Sequence, residues 1–215
     1  MKKIAALILN RNLPQFTDKL VNNLKKNDRD IVDIFVIEAG SDKNNLSKSA
    51  TWYVKDKFTM KNGLRYPRGM NFGLFKLYKE KKLLNYEAVL LMTNDTNPPN
   101  KKFIRPLFKE LKSNNKIGII SPCGNDWGER EYLNKKEKTK FFYYIHNHVY
   151  LININLIKKI ANFKSRSYKN FFFDGNNFRG FGTESELIAK CYANDYAAAI
   201  TSKVLCSENE YFLKK

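Results

Sequence analysis

Long apolar runs are absent from this chain of 215 residues. No window reaches the roughly 18 consecutive apolar residues that a membrane-spanning helix needs, so membrane contact is expected to be at most peripheral. The basic start MKKIAALILNRN breaks at Asn10-Arg11-Asn12 without a small-residue cleavage site, and reads as a buried first strand, not a signal peptide. Cysteine is scarce as well. Cys123, Cys191 and Cys206 are odd in number and form no CxxC pair, which excludes a disulfide framework and points to packing residues in a reducing, cytoplasmic setting. Acidic residues are the minority, 21 against 39 Lys and Arg, giving a formal charge of +18 that attracts polyanions in general. The basic residues fall in scattered pairs such as Lys25-Lys26 and Lys101-Lys102. With no stripe and no helix-turn-helix, zinc-finger or RNP-type signature beside them, no specific nucleic-acid partner is expected.

What the chain does have is apolar material for one packed domain: 43% hydrophobic and 14% aromatic residues, well away from the composition of disorder. Ile4 to Leu9 is a continuous aliphatic strand, followed by Phe16, Leu20 and Leu24 at helical spacing. Ile31 to Ile37 repeats the strand and ends at the turn-rich Glu38-Ala-Gly-Ser-Asp42. The spacing of Met70, Leu74, Leu77 and Tyr78 predicts a helix over 68–82, leading to the strand Ala88–Met92 and the polar closure Thr93-Asn-Asp-Thr96. After Asn97-Pro-Pro-Asn100 come a helical face from Phe103 to Leu111 and a fourth strand, Ile117–Ile120. This βαβα order implies an α/β fold with a mostly parallel sheet, helices on both faces and a ligand crevice at the carboxyl ends of the strands. The polar ends at 10–12, 38–42 and 93–96 are expected to meet there.

Beyond Pro122 the pattern changes. A charged connection with Gly124 and Gly128 precedes an aromatic and aliphatic stretch over 141–154, a helix to about Phe163, a Phe-, Gly- and Asn-rich loop over 171–182, a helix capped by Thr183, and a final strand around 196–200. The Phe171–Phe173 run reads as core, and Trp127 as an aromatic able to stack on a ring. His146 and His148 alternate on one face of a strand and read as a structural or partly exposed pair.

The segment YEAVLLMTNDTNPPNKKFIRPL resembles the strand, diphosphate-metal motif and following helix of the family 2 glycosyltransferases of the GT-A fold, with a rhamnosyltransferase-like subgroup as one branch. ILNRN, VIEAGSDK, RGMNFGL and FRGFGTESELIAKCYANDY resemble the other signature segments in the same order, so the similarity covers nearly the whole chain. The resemblance implies a Rossmann-like sheet with a small acceptor-side mixed sheet, with residues 1–122 binding the nucleotide sugar and 123–215 the acceptor. It implies donor contacts from Asn10, Asn12, Glu38, Arg68, Asn71 and Asn94, a Mn²⁺ or Mg²⁺ ion on Asp95, Glu184 as catalytic base, and Glu186 with Trp127 on the acceptor side. The donor class is a UDP-, dTDP- or GDP-linked sugar and the acceptor a glycan, glycoprotein or glycolipid.

The chemistry fits these residue types independently. A departing nucleoside diphosphate accumulates negative charge that a divalent cation on hard oxygens stabilises. An arginine fork such as that of Arg68 suits paired phosphate oxygens. A carboxylate must take the acceptor's proton, and direct attack inverts the anomeric carbon. The chain departs from the family pattern at Thr93, which stands where the motif's first acid would be, and at Glu38 and Glu184, which stand for the shorter Asp. Two other readings compete. A sugar-phosphate nucleotidyltransferase needs a Gly-rich loop after the first strand, where this chain has Asn10-Arg-Asn-Leu-Pro14. A non-enzymatic nucleic-acid module would bind with steep salt dependence.

Overall fold

The computed structural model describes residues 3–124, 128–134, 136–145 and 149–209. Its centre is β1 (Ile4–Asn10), whose aliphatic residues Ile4 to Ile8 are wholly buried because helices cover both faces. β1 pairs in parallel with β2 (Val32–Glu38) on one side and β4 (Ala88–Thr93) on the other, and β2 carries the parallel edge strand β3 (Ala50–Tyr53). Beyond β4 the order continues through β8 (Val149–Asn153), β6 (Ile117–Gly124) and β9 (Ala197–Glu208). β8 is antiparallel to both β4 and β6, while β6 and β9 are parallel. Following these pairings, β1, β2, β3, β4, β6 and β9 all run the same way, so their carboxyl ends share one edge of the molecule.

β9 is twelve residues long, far beyond the expected 196–200, and its register against β6 shifts at Pro122/Cys123. That irregularity lets one strand serve β6, β7 (Thr139–Phe141) and β5 (Thr96–Asn97). The small mixed part expected on the acceptor side is therefore joined to the central sheet through β9.

α1 (Pro14–Asn27) and α4 (Ile104–Ser113) pack on one face of the sheet, burying Leu20, Val21 and Leu24 and Ile104, Leu107 and Leu111 against Ile4, Ile8 and Leu90. α3 (Arg65–Lys79), α5 (Ile154–Ile160) and α6 (Thr183–Tyr192) cover the other, where Leu74, Leu77, Ile157 and Leu187 meet Leu7, Leu91 and Ile152. Phe171, Phe172 and Phe173 are at most 2% exposed in this second layer, as expected of core residues. Burying each contributes up to about 3 kcal/mol. The three cysteines are free and buried. No described helix is long and apolar enough to cross a membrane.

Several boundaries differ from expectation, each for a local reason. α3 runs from Arg65 to Lys79, not over 68–82, because Pro67 sits in the first turn, where a missing N–H costs nothing, and Lys81 at φ 56° leaves the helical region. β3 and α2 (Lys57–Asn62) were not foreseen; β3 is a short half-exposed edge, and α2 has six residues between its Asp56 cap and Gly63. The stretch over 141–154 holds the end of β7, all of β8 and the first residue of α5, which ends at Ile160 instead of near Phe163. α6 is capped by Gly182 at φ 70°, and the Thr183 hydroxyl donates to Gly180 O at 2.6 Å, so Thr183 is the first helical residue, not the cap.

Candidate functional site

At the shared carboxyl edge, four elements are tied by one run of hydrogen bonds. Asn94 Nδ2, just past β4, donates to Thr17 Oγ1 of α1 at 3.2 Å, and Thr17 Oγ1 donates to Asn10 Oδ1 at the end of β1 at 2.8 Å. Asn10 Nδ2 in turn donates to both carboxylate oxygens of Glu38 at the end of β2, 3.0 Å each. Glu38 also accepts from Ser41 Oγ at 2.5 Å and from Ser47 N at 2.7 Å. Asn10 and Glu38 are 0% and 2% exposed. Burying a carboxyl group is costly unless donors such as these satisfy its oxygens. Its geometry folds the 38–47 loop back over β1, and both polar groups are taken up within the protein.

Asn12 completes the same corner. Its backbone is left-handed at φ 57°, its N–H donates to Ser41 Oγ at 3.1 Å, and its Oδ1 accepts from Asp42 N at 2.8 Å. Arg11 reaches to the carboxyl end of α2, donating to Asn62 O at 2.6 Å and Lys61 O at 3.1 Å. Gly63 makes this possible: its φ is 74°, and a Cβ there would lie 2.5 Å from the Arg11 guanidinium.

Between these ends lies a cleft of about 290 Å³ lined by Leu9, Arg11, Leu13, Ala39, Arg65, Tyr66, Thr93 and Asn94. α3 presents its first turn to the cleft because Gly69 lets it sit directly on β1, where a Cβ would come 2.3 Å from a Leu9 methyl. Arg65 opens that turn with φ 59° and makes no hydrogen bond or ion pair among the described residues; its guanidinium lies 6.0 Å from the Phe178 ring centre. The Tyr66 hydroxyl is buried with no hydrogen-bond partner among the described residues, and burial, then the charge of Glu184, push its pKa well above the usual tyrosine range.

Asp95 follows in the turn between β4 and β5, its backbone carbonyl fixed by Asn209 N at 2.7 Å. Its Oδ1 is buried and has no hydrogen-bond partner among the described residues. An orphaned buried carboxylate oxygen is costly unless a cation takes it. No group of three or more His, Cys, Asp or Glu able to hold a metal exists among the described residues. Thr93, beside it, places its Oγ1 3.4 Å from Thr96 Oγ1. These residues fit a divalent cation as a single protein carboxylate completed by oxygens that a ligand brings.

Glu184 stands in the first turn of α6, partly buried, and its carboxylate accepts no hydrogen bond among the described residues. Burial first, and then its charge, raise the pKa of Tyr66, which lines the cleft, and of Tyr144; its charge also contributes, behind burial and Tyr66, to raising Tyr150. A Cβ on Gly180 would sit 3.1 Å from Pro67, which packs the approach to α6 against the start of α3.

The structure thus gathers Asn10, Asn12, Glu38, Asn94, Asp95 and Glu184 at or around one edge, and it sets three expected site residues elsewhere. Asn71 has its full hydrogen-bonding capacity engaged: Nδ2 donates to Lys169 O and Phe173 O, and Oδ1 accepts from Phe172 N and Phe173 N. It clamps the buried Phe run and has nothing left for a ligand. Arg68 donates to Gly175 O at 2.6 Å and lies against Phe58 and Phe178, outside the cleft, because α3 begins three residues earlier than expected and Arg65 takes the place at its mouth. Glu186 is bound to Lys190 and accepts from Asp174 N at 2.9 Å, bracing the 172–174 segment. Trp127, His146 and His148 lie outside the described residues. Arg11, Leu13, Arg65 and Tyr66 were missed; the pair of arginines in Arg65-Tyr-Pro-Arg68 was the available signal, and only the helix start decides between them.

No protein-family model matches the chain, and no curated protein does. Solved structures do. A mannosyltransferase from Pyrobaculum calidifontis, in complex with GDP-Man and Mn²⁺, aligns with a TM-score of 0.68 at 13% identity, covering 96% of this chain and 56% of that one. GalNAc-T7 with UDP, GalNAc and Mn²⁺ aligns at 0.70 and 9% identity over 97% and 44%. TarS of S. aureus aligns at 0.68 and 14% identity over 97% and 36%. The fold is that of GT-A glycosyltransferases, and the chain spans about half or less of the length of these neighbours.

Proposed function

We propose that this chain is a glycosyltransferase using a nucleotide-diphosphate sugar, with residues 1–122 holding the donor and 123–215 the acceptor. The observation that carries the reading is the orphaned carboxylate oxygen of Asp95, beside an arginine-walled cleft at the carboxyl ends of β1 and β4 in a GT-A fold. The neighbours in complex with UDP or GDP-Man and Mn²⁺ support the ligand class. The buried free thiols fit a cytoplasmic setting, and the charge of +18 fits peripheral contact with a membrane surface.

In this reading the corner built by Asn10, Asn12 and Glu38 shapes the nucleotide's seat, and its rigidity keeps the donor from shifting relative to Asp95. Arg11 and Arg65 place positive charge on the cleft wall, where it opposes the charge of the diphosphate. A divalent cation held by Asp95 and the two phosphates would stabilise the leaving group's negative charge. Glu184 takes the proton of the acceptor hydroxyl as that oxygen bonds to the anomeric carbon. The carbon–oxygen bond to the diphosphate breaks and its electron pair leaves with the phosphate. Direct attack inverts the anomeric centre.

The test is a calorimetric panel of UDP-, dTDP- and GDP-sugars with and without Mn²⁺, followed by detection of released nucleoside diphosphate. Binding of one of them, strengthened by Mn²⁺, is expected. If no nucleotide sugar binds under either condition, the reading fails.

A further inference from the structure

A second hollow, about 370 Å³, adjoins the cleft and shares Arg65 with it; its other walls are Phe178, Arg179 and Phe181. Its composition is unusual in a way that names a ligand. Phe181 is 79% exposed, a state that contributes nothing to the core and leaves an apolar ring face open to solvent. Arg179 is exposed and makes no hydrogen bond or ion pair among the described residues, and the same holds for Arg65. No acid among the described residues lines the hollow. Two unpaired guanidinium groups at one hollow repel each other and are relieved by an oxyanion, which an arginine fork binds through paired oxygens.

The surroundings hold this arrangement in place. Phe178 packs edge-on against Phe58 at 5.4 Å and takes the Arg68 guanidinium 5.0 Å from its ring centre, while Arg68 is tied to Gly175 O. Phe178 is therefore a fixed wall on which Arg65 rests. The loop carrying Arg179 and Phe181 turns at Gly180 and Gly182, both at positive φ, and runs directly into α6, where Glu184 stands two residues past Gly182. A group bound in the hollow is thus next to the first turn of α6 on one side and the donor cleft on the other.

We infer that this hollow is the acceptor's recognition site, and that the acceptor carries an oxyanion, a phosphate or a carboxylate, beside a ring whose apolar face rests on Phe181. The inference builds on the glycosyltransferase reading and adds the acceptor's chemical class. Arg179 serves the acceptor alone; Arg65 stands between acceptor and donor.

The test measures binding of glucose 6-phosphate, glucuronate and glucose to the full chain by saturation-transfer NMR and titration, alone and with nucleoside diphosphate present. At least one anionic probe is expected to bind roughly tenfold or more tighter than glucose, the scale of a charge-assisted contact, and which one binds identifies the anion. Arg179→Ala is expected to remove that advantage, and Phe181→Ala to weaken all three sugars, with nucleotide affinity unchanged in both. Equal binding of glucose and the anionic probes, no binding of any, or an unaltered preference in Arg179→Ala overturns the inference. A loss of nucleotide affinity in Arg179→Ala also overturns it, by assigning the arginine to the donor. Absence of nucleotide binding in the unmodified protein is a separate result: it fails the donor reading, and the anion preference is still read without nucleotide.

Discussion

The charge of Glu184 acts on the hydroxyl of Tyr66, a group on the wall of the cleft that is buried without a hydrogen-bond partner among the described residues. This pairing links α6 to the start of α3, the two parts of the chain that carry the proposed acceptor-side base and the proposed donor-side arginine. An unpartnered buried hydroxyl destabilises the resting protein and is the kind of group a bound ligand satisfies.

Tyr66→Phe is therefore expected to leave thermal stability unchanged or raise it by up to about 1 kcal/mol, since only an unsatisfied hydroxyl is lost. Transfer activity is expected to fall in the same variant. Calorimetric unfolding beside a turnover assay checks the pair of effects, and a fall in stability contradicts the orphaned state of the hydroxyl.

Glu184→Gln keeps the shape of the side chain and removes its ability to accept a proton. Transfer is expected to drop by roughly 10² to 10⁴-fold, the usual contribution of a general base, with donor affinity unchanged. Equilibrium binding of the donor measured next to turnover separates the two, and a variant that still turns over at the original rate removes Glu184 from the mechanism.

Asn71→Ala leaves buried backbone groups of Phe172 and Phe173 and the part-buried carbonyl of Lys169 without their Asn71 partner and is expected to cost about 3 kcal/mol or more, beyond the 1 to 3 kcal/mol of a single lost bond. Glu38→Ala strands the Asn10 amide in the same way and is expected to loosen the 38–47 loop, read as faster amide exchange at Ser41 and Ser47. Both variants act on structure first, which distinguishes them from Glu184→Gln.

The Asp56 carboxylate is held below the usual carboxylate range by the Thr59 hydroxyl and then the Thr59 N–H, which it caps at the start of α2. A depressed folded pKa means that the cap's contribution is present above the unfolded value of 3.8 and is lost as pH falls through the folded value. Asp56→Ala is expected to cost about 1 kcal/mol at neutral pH, and the gap from the unmodified protein is expected to close in acid below pH 3.8. Urea unfolding at several pH values measures both.

Much of the site's frame was legible because it rests on short-range patterns. Mostly apolar runs mark β1, β2, β4 and β6 in the sequence, and the polar residues that close or follow them point to Asn10, Glu38 and Asp95. Asn71 and Arg68, expected at the donor, instead bond to the 169–175 segment for one reason: both lie on α3, and where that helix starts decides which of its residues reaches the cleft. Pro67 hid that start. Arg65 and Lys81 have positive φ without being glycine, and Arg11 is set by a carbonyl pair at the end of α2, some 50 positions away; such long-range or strained features leave no local pattern. The internal use of Glu186 likewise depends on Asp174 and Lys190 meeting it in three dimensions.

Donor binding by Asp95→Ala tests the central claim most directly. In the unmodified protein, titration with the nucleotide sugar selected by the panel is expected to give an affinity that Mn²⁺ strengthens. In Asp95→Ala that strengthening is expected to disappear, with affinity down roughly tenfold or more and the fold intact by circular dichroism. Unchanged, equally Mn²⁺-dependent binding in the variant would contradict the assignment of the cation to Asp95.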